Sequence, residues 1–202
     1  MPKRIPMAAV ILAGGKSSRM GRDKALLPCG SETMLEFLSG LMTSLFDETI
    51  VVVENKLKCE SLNLKKAVVY EDLFKNQGPL AGLYTGLSYS NHQANAVFTC
   101  DMPFVDKEII QQLVSFWEEE YDVMCLEDPD GRLQPFPGVY ARACRHLVRL
   151  LLERSEHSLQ RLLAVATVKP VVMQKEKIKV LTNMNTIEDY CRVLKEKKEW
   201  VR

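Results

Sequence analysis

The feature that most constrains the fold is an apolar run that leads directly into a glycine-rich, basic loop. Residues 8–12 (Ala-Ala-Val-Ile-Leu) are typical of a buried strand. Gly14 and Gly15 follow, and glycines allow positive φ and close backbone approach, so that successive N–H groups can converge on an anion. Arg19 adds a planar fork that can hold two oxygens, and Lys24 adds a point charge. The segment therefore predicts a loop that holds a polyphosphate.

Two familiar phosphate-binding motifs do not fit this loop. A P-loop requires a glycine five positions before Gly15, where the chain has Val10. The dinucleotide pattern G-x-G-x-x-G fails as well, because Gly14 and Gly15 are adjacent and Gly21 follows only six positions later. A plain turn between a strand and a helix, with solvated charges, is the alternative interpretation.

Composition is that of a globular protein without a global field for anions. The chain has 202 residues, of which 47% are hydrophobic and 26% charged, enough for one domain with a substantial core. Lys plus Arg (27) nearly equals Asp plus Glu (26), so the positive charge of the loop is local. We expect neither nucleic acid nor a membrane as a partner.

The cysteines and the amino-terminal residues predict a cytoplasmic protein. The six cysteines show no C-x-x-C spacing, and several lie inside apolar runs, as reduced core cysteines do. The first apolar run ends at Ala13, which is too short for a signal-peptide core or a membrane span. We therefore expect a cytoplasmic location and no zinc site.

The apolar segments predict strands that alternate with helices. Strands are expected at 8–12, 49–53, 67–70, 96–100, 122–126, 133–140, 168–173 and 178–181. Helices are expected after a Thr33/Glu36 capping box, from Gly78 to about Tyr89, from Asp106 through Trp117, over 142–153 and 158–166, and from Thr186. This order predicts an α/β fold, a three-layer sandwich with a mostly parallel sheet, in a single domain over 1–202.

Polar residues follow several of the predicted strands. In open parallel sheets, ligands bind beyond the carboxyl ends of the strands. That rule brings the glycine loop, Asn55, Asp72, the Gly78 turn and Asp101 to one crevice. An anion loop next to an exposed carboxylate indicates a nucleotide together with a divalent metal, and Mg²⁺ suits a site with a single protein carboxylate.

Four motifs, in this order and spacing, resemble those of the molybdenum cofactor guanylyltransferases of the MobA type, within the NTP-transferase superfamily. They are Leu-Ala-Gly-Gly at 12–15, Ser-Arg-Met-Gly at 18–21 with Asp23 and Lys24, Gly-Pro-Leu-Ala-Gly at 78–82 and Cys-Asp-Met-Pro-Phe at 100–104. Gln134-Pro135 and Asn-Met-Asn-Thr at 183–186 resemble later motifs of the family. The resemblance therefore spans nearly the whole chain. Residues 135–139 depart from it, since they carry an extra proline and a glycine where such proteins more often have a plain apolar strand.

The resemblance implies a Rossmann-like fold of the nucleotide-diphospho-sugar-transferase type, with a nucleotide-binding part over about 7–126 and an acceptor-binding part over about 127–202. It implies transfer of GMP from GTP to the terminal phosphate of molybdopterin or Mo-molybdopterin, with release of pyrophosphate. The residues implied to bind the nucleotide, its phosphates or the metal are Leu12, Ala13, Gly14, Gly15, Lys24, Asn55, Asp72, Gly78, Pro79, Leu80, Asp101 and Asn185. Asp101 would hold Mg²⁺, and Arg19, Lys24 and Asp101 would act in catalysis.

Alternatives remain for single residues and for the function. Asp101 taken alone also fits a turn after a strand, and Asn183 and Asn185 also fit caps of the last helix. Transfer of a cytidylyl group to molybdopterin, or of a nucleotidyl group to a sugar phosphate, would use the same phosphate loop. A non-catalytic carrier that delivers molybdopterin to molybdoenzymes is a third possibility.

Overall fold

A computed structural model describes residues 4–14, 23–172 and 179–197. Its strands are β1 (Ile5–Leu12), β2 (Pro28–Cys29), β3 (Glu32–Thr33), β4 (Phe46–Val53), β5 (Val68–Glu71), β6 (Ala94–Thr99), β7 (Val123–Glu127), β8 (Leu133–Ala141) and β9 (Val168–Val172). Its helices are α1 (Met34–Leu45), α2 (Pro79–Tyr89), α3 (Lys107–Ser115), α4 (Arg145–Glu153), α5 (Leu159–Val165) and α6 (Ile187–Glu196). Short 3₁₀ turns include Lys24–Leu26, Lys56–Cys59 and Arg142–Cys144.

Seven of these strands form one sheet in the order β5-β4-β1-β6-β8-β7-β9. The strands β5, β4, β1 and β6 are parallel, and β9 is parallel to β7. Only β8 runs antiparallel to its neighbours in this sheet, because the turn at 128–131 folds it back against β7 and β6. The predicted mostly parallel α/β sheet and the predicted return strand are confirmed.

The two faces of the sheet are covered by different helices. Along β1, Ile11 packs into an apolar cluster with α1, α3 and α6, whereas Val10 and Leu12 pack into a second cluster with α2, α4 and α5. Successive side chains of a strand point to opposite faces, so a strand buried on both sides reads as a continuous apolar run. The predicted three layers are confirmed.

Helix α2 lies close to β1 because it presents a glycine there. A Cβ on Gly86 would overlap a methyl group of Val10. This close packing fixes the start of α2, at Pro79, beside the carboxyl end of β1.

Helix starts follow the predicted caps. Thr33 and Glu36 form the expected capping box, in which the Glu36 carboxylate accepts from the backbone N–H of Thr33 at 2.8 Å. Asp106 caps α3 and Thr186 caps α6, as predicted. Among the described residues, no helix is both long and apolar enough to cross a bilayer.

Two element predictions are wrong. Helix α3 ends at Ser115, since the N–H groups of Phe116 and Trp117 turn back to carbonyls three residues earlier; Trp117 packs against the core from outside the helix. Residues 179–181 form a 3₁₀ turn instead of a strand, and the apolar side chains of Val180 and Leu181 pack into the core. A short apolar run does not distinguish these outcomes. Positions 173 and 178, the other ends of predicted strands, lie outside the described residues.

Candidate active site

The site begins where β1 ends between its two parallel neighbours. The N–H of Ala13 donates to the carbonyl of Val52 on β4 at 2.8 Å, and the carbonyl of Leu12 accepts from the N–H of Cys100, just after β6, at 3.2 Å. Both neighbours therefore remain bonded to the chain up to the start of the glycine loop. Gly14 then leaves the sheet close to the backbone of Glu54.

Two adjoining cavities open at this edge of the sheet. The main cavity, of about 330 Å³, is lined by Leu12, Ala13, Gly14, Asp23, Lys24, Pro79, Thr99, Cys100, Asp101, Met102, Gln134, Pro135, Phe136, Leu159 and Asn183. The side cavity, of about 260 Å³, is lined by Leu12, Gly14, Val52, Val53, Glu54, Asp72, Asn76, Gly78, Pro79 and Gly82. Because Leu12, Gly14 and Pro79 line both, one extended ligand can occupy the two cavities together.

Lys24 joins three distant parts of the chain in the main cavity. Its Nζ lies 3.0 Å from Asp101 Oδ2 and donates to Asn185 Oδ1 at 2.8 Å. The side chains of Lys24 and Asp101 are 20% and 19% exposed, so this ion pair is largely shielded from bulk water. Asp23 fixes the backbone next to Lys24, because its carboxylate accepts from the N–H of Ala25 at 3.1 Å.

Besides the ion pair with Lys24, two further contacts hold Asp101 in place. Thr99, the last residue of β6, donates its hydroxyl to Asp101 Oδ1 at 2.6 Å. The backbone carbonyl of Asp101 accepts from the N–H of Met184 at 2.9 Å, which ties the segment before α6 to the turn after β6. Sequence reasoning placed Asp101 at the end of a strand, and the structure does so. It missed Thr99, whose only signal was a hydroxyl in the otherwise apolar run 96–100.

The side chain of Asn185 reaches Lys24 and does not cap α6. The hydroxyl of Thr186 accepts from the N–H of Asp189, and the Asp189 carboxylate accepts from the N–H groups of Asn185 and Thr186. With the cap supplied by Thr186, the amide of Asn185 is left to reach Lys24. The capping interpretation of Asn185 is therefore wrong. Asn183, the other residue given that interpretation, lines the main cavity.

The side cavity combines apolar walls with two carboxylates, Asp72 and Glu54. Asp72 is held beside β4 by a bond from its N–H to the carbonyl of Val53 at 2.8 Å, and its Oδ1 lies 2.9 Å from the hydroxyl of Thr85. Burial raises the pKa of Asp72 above that of an ordinary aspartate, and the charge of Glu54 adds to the rise, although bonds from Phe74 and Thr85 oppose it.

The start of α2 separates the two cavities. Gly78 has φ of +76°, a conformation that L side chains rarely adopt, and Pro79 occupies the first helical turn. The amino terminus of a helix carries partial positive charge and unpaired N–H groups, which favour an anion. Leu80 is fully buried in the cluster beneath α2 and lines neither of the two cavities, so its predicted contact with the nucleotide remains a prediction.

Asn55 lies outside both large cavities. Its side chain caps the Lys56–Cys59 turn by accepting from the N–H of Leu57 at 2.9 Å, and it borders a crevice of about 20 Å³ beside Gly14. Glu54, one residue earlier and directly after β4, is a polar residue that lines the side cavity. Gly15 and Arg19 lie outside the described residues, and their roles remain predictions.

The departure at 135–139 shapes the wall of the main cavity. Leu126 of β7 pairs with Gln134 and Cys125 with Gly138, so the residues between them form a bulge in β8. A Cβ on Gly138 would lie 2.8 Å from the carbonyl oxygen of Pro135, which explains the glycine. The bulge places Gln134, Pro135 and Phe136 on the cavity.

Cys100 shows no sign of a catalytic thiol. The side chain is buried, and its Sγ lies 3.3 Å from the carbonyl oxygen of Leu12. Burial, with the negative charges of Asp101 and Asp23, raises the pKa of the thiol far above that of a free cysteine. Cys100 is a small core residue beneath the site.

A metal at this site would rely on few protein ligands. Within the described residues, no three His, Cys, Asp or Glu side chains gather as a metal cage. Mg²⁺ commonly binds through one or two carboxylates together with substrate phosphates and water. The oxygens of Asp101 and Asn185 already converge on one cation, the Lys24 ammonium, so the donor set fits a hard divalent ion.

This arrangement of charge at the edge of a mostly parallel sheet suits a nucleoside triphosphate, and comparison with known proteins places the chain among the nucleotidyltransferases. Residues 9–174 match the family model described as the MobA-like NTP transferase domain. The chain therefore belongs to the MobA-like family, as its motifs predicted, and is an enzyme of the class that serves molybdenum cofactor biosynthesis.

Similar proteins cover nearly the full length of the chain. A probable molybdenum cofactor guanylyltransferase of Clostridium perfringens (strain 13 / Type A) is 29% identical over 96% of this chain and 98% of its own. One of Bacillus cereus (strain AH820) is 31% identical over 94% and 96%. The crystal structure of molybdopterin-guanine dinucleotide biosynthesis protein A from Archaeoglobus fulgidus superposes with a TM-score of 0.82 at 20% identity and covers 96% of this chain and all of its own. This structural match confirms the fold.

Proposed function

We propose that the protein transfers GMP from GTP to the terminal phosphate of molybdopterin or Mo-molybdopterin, forms molybdopterin guanine dinucleotide and releases pyrophosphate. The observation that carries this proposal is the pair of adjoining cavities that meet at Leu12, Gly14 and Pro79, with Lys24 and Asp101 on the main one. The names of the relatives support the same reaction. The six cysteines are thiols, which suits a reaction in the reducing cytoplasm.

The side cavity suits the guanine base. Guanine carries two adjacent donors, N1–H and the 2-amino group, and the carboxylates of Asp72 and Glu54 are acceptors in that cavity. Cytosine has no such pair of adjacent donors. A site built to accept hydrogen bonds from its substrate discriminates strongly against a substrate that lacks the donors. This favours GTP over CTP.

With the base there, the phosphates extend across Gly14 and Pro79 into the main cavity, toward Lys24 and the amino terminus of α2. A phosphate oxygen of the acceptor attacks the α-phosphorus in line. A new phosphoanhydride bond forms, the bond to the β-phosphate oxygen breaks, and pyrophosphate leaves with the electron pair. Such transfers depend on positioning and charge stabilisation, and no side-chain nucleophile is needed.

The chain's own residues supply that stabilisation. Lys24, the partial positive charge at the amino terminus of α2 and, by resemblance, Arg19 and the amides at Gly14 and Gly15 would stabilise the phosphate oxygens as charge develops on them. Asp101 and Asn185 would hold Mg²⁺. When bound, the metal neutralises charge on the phosphates.

The remaining wall of the main cavity is assigned to the acceptor. Phe136 and Leu159 give it apolar surface, and Gln134 and Asn183 give it amide groups. Gln134 Nε2 donates a hydrogen bond to Asp128 Oδ2 at 2.8 Å, and this bond holds the Gln134 amide in one orientation. A flat heterocycle with several donors and acceptors, such as a pterin, matches this mixture.

Pyrophosphate release with paired nucleotides tests the proposal. The purified protein is mixed with Mg²⁺, molybdopterin and either GTP or CTP, and pyrophosphate is measured with time. We expect release with GTP that depends on molybdopterin, at a rate far above that with CTP. Equal or faster release with CTP would identify a cytidylyltransferase. A protein that binds both ligands but releases no pyrophosphate would be a carrier.

A further inference from the structure

The Lys24 ammonium stands where the proposed function puts a metal ion. Its Nζ lies 3.0 Å from Asp101 Oδ2 and 2.8 Å from Asn185 Oδ1, between the two protein oxygens assigned to Mg²⁺. The other oxygen of Asp101 is engaged by the hydroxyl of Thr99 at 2.6 Å. Both carboxylate oxygens of Asp101 therefore have partners before any ligand arrives.

The ammonium and a metal ion compete for the same side of Asp101. A ligated Mg²⁺ lies about 2.0 to 2.1 Å from its oxygen ligands and keeps a shell of water around it. That shell needs the space that Nζ fills, and two cations on one largely shielded carboxylate also repel each other. Metal binding at Asp101 Oδ2 thus requires that Lys24 move away.

The Lys24 side chain has the freedom to change partners while its backbone stays in place. Its ammonium is carried on a flexible four-carbon stem, while its backbone starts a short 3₁₀ turn that the side chain of Asp23 caps. Lys24 and Asp101 line the same cavity as Gly14 and Pro79, across which the triphosphate would extend. A phosphate group there offers the ammonium a new anionic partner.

We propose that Lys24 is an exchangeable counter-ion, which holds the cation position on Asp101 in the free enzyme and gives it up when a triphosphate binds. The inference rests on the proposed function, because it assumes a metal on Asp101 and phosphates near Lys24. Lys24 leaves Asp101 for the phosphates, and the vacated Oδ2 becomes available to the metal. Nucleotide and metal therefore bind cooperatively, and each raises the affinity for the other by the same factor.

Binding of Mn²⁺ alone, without nucleotide, tests this exchange. Mn²⁺ stands in for Mg²⁺ because the electron paramagnetic resonance signal of the free ion reports the bound fraction. Lys24→Met removes the charge and keeps an unbranched side chain of nearly the same length. We expect this variant to bind Mn²⁺ alone at least about fivefold more tightly than the wild type, the lower end of typical coupling between two sites. It should also bind metal-free GTP more weakly.

Lys75→Met is the matched control. Lys75 forms an ion pair with Glu71 at the same 3.0 Å separation, but this pair is exposed and neither residue lines the two cavities. Its loss changes the net charge equally, so we expect wild-type affinity for Mn²⁺. Equal tightening in both variants would mean that only net charge matters and would overturn the proposal. If Lys24→Met does not fold, as judged by circular dichroism, Lys24→Gln takes its place.

Asp101→Asn, alone and combined with Lys24→Met, separates the two proposals. If it abolishes Mn²⁺ binding in both backgrounds while Lys24→Met alone binds no more tightly than the wild type, the metal site stands and the exchange is wrong. If Asp101→Asn leaves Mn²⁺ binding unchanged in both backgrounds, the metal assignment in the proposed function fails and the exchange fails with it. If Lys24→Met tightens the binding of Mn²⁺ and this gain is lost when Asp101→Asn is added, both the metal site and the exchange are supported.

Discussion

The two cavities of this enzyme are built in different ways. The side cavity is made where the ends of β1, β4 and β5 meet the start of α2, and most of its shape follows from the packing of these elements. The main cavity is made by side chains from distant parts of the sequence, with Lys24, Asp101 and Asn185 meeting through two short contacts. The first kind of site is fixed by the fold, whereas the second depends on individual polar contacts. Variants of each should therefore fail differently.

The largest effect is expected from Asp101→Asn in the main cavity. The variant keeps the size of the side chain and removes the charge, so GMP transfer should fall at least about 100-fold, as on loss of one well-placed stabilising group. Steady-state kinetics with Mg²⁺ and GTP measures it. Asp130→Asn, in the exposed turn before β8, should leave the rate unchanged. A variant at Asp101 with full Mg²⁺-dependent turnover would remove Asp101 from the mechanism.

A smaller effect, on affinity and base choice, is expected from Asp72→Asn in the side cavity. Loss of a charged hydrogen-bond acceptor for guanine should weaken the binding of GTP by about 1.5 to 3 kcal/mol and the binding of CTP much less. Burial raises the pKa of Asp72, so this carboxylate becomes protonated at a higher pH than an ordinary aspartate does. As the pH is lowered, the affinity for GTP should therefore begin to fall at that higher pH. Calorimetric titrations across pH measure both effects. Equal weakening of GTP and CTP would show that Asp72 does not read the base.

The third change, Gly86→Ala, tests whether backbone packing fixes the side cavity. The new Cβ would overlap Val10, so we expect a loss of about 1 to 3 kcal/mol in the free energy of unfolding, as for other overpacked cores. Urea denaturation measures it. Gly40→Ala is the matched control in α1, where the nearest atom to a new Cβ is 3.8 Å away on the flexible Lys65 side chain. It should be neutral or stabilising, since alanine favours helices. Equal stability of the two variants would contradict the packing argument.

The same contrast explains what the sequence could predict. The apolar run of β1, the caps at Thr33, Asp106 and Thr186 and the turn at 128–131 act over a few residues, so they predicted the sheet and most helices. The convergence of Asp72, the Gly78 turn and Asp101 followed from one rule about parallel sheets.

The parts that escaped prediction depend on long-range packing. Nothing local distinguishes the Asn185 that reaches Lys24 across 161 positions from an asparagine that caps a helix. The pairing of Thr99 with Asp101 needs the exact side-chain rotamers at the end of β6, and the bulge before Gly138 needs the register between β7 and β8. The 3₁₀ turn at 179–181 packs apolar residues on the core much as a strand does.

The fate of the α-phosphate of GTP tests the central claim most directly. The enzyme is incubated with Mg²⁺ and molybdopterin, and with GTP labelled at either the α- or the γ-phosphate. We predict that the α-label appears in a molybdopterin dinucleotide and the γ-label in pyrophosphate, at equal rates. Two results would contradict the account. One is an α-label that stays in GTP, GDP or GMP, and the other is a γ-label released as inorganic phosphate by an enzyme preparation free of pyrophosphatase.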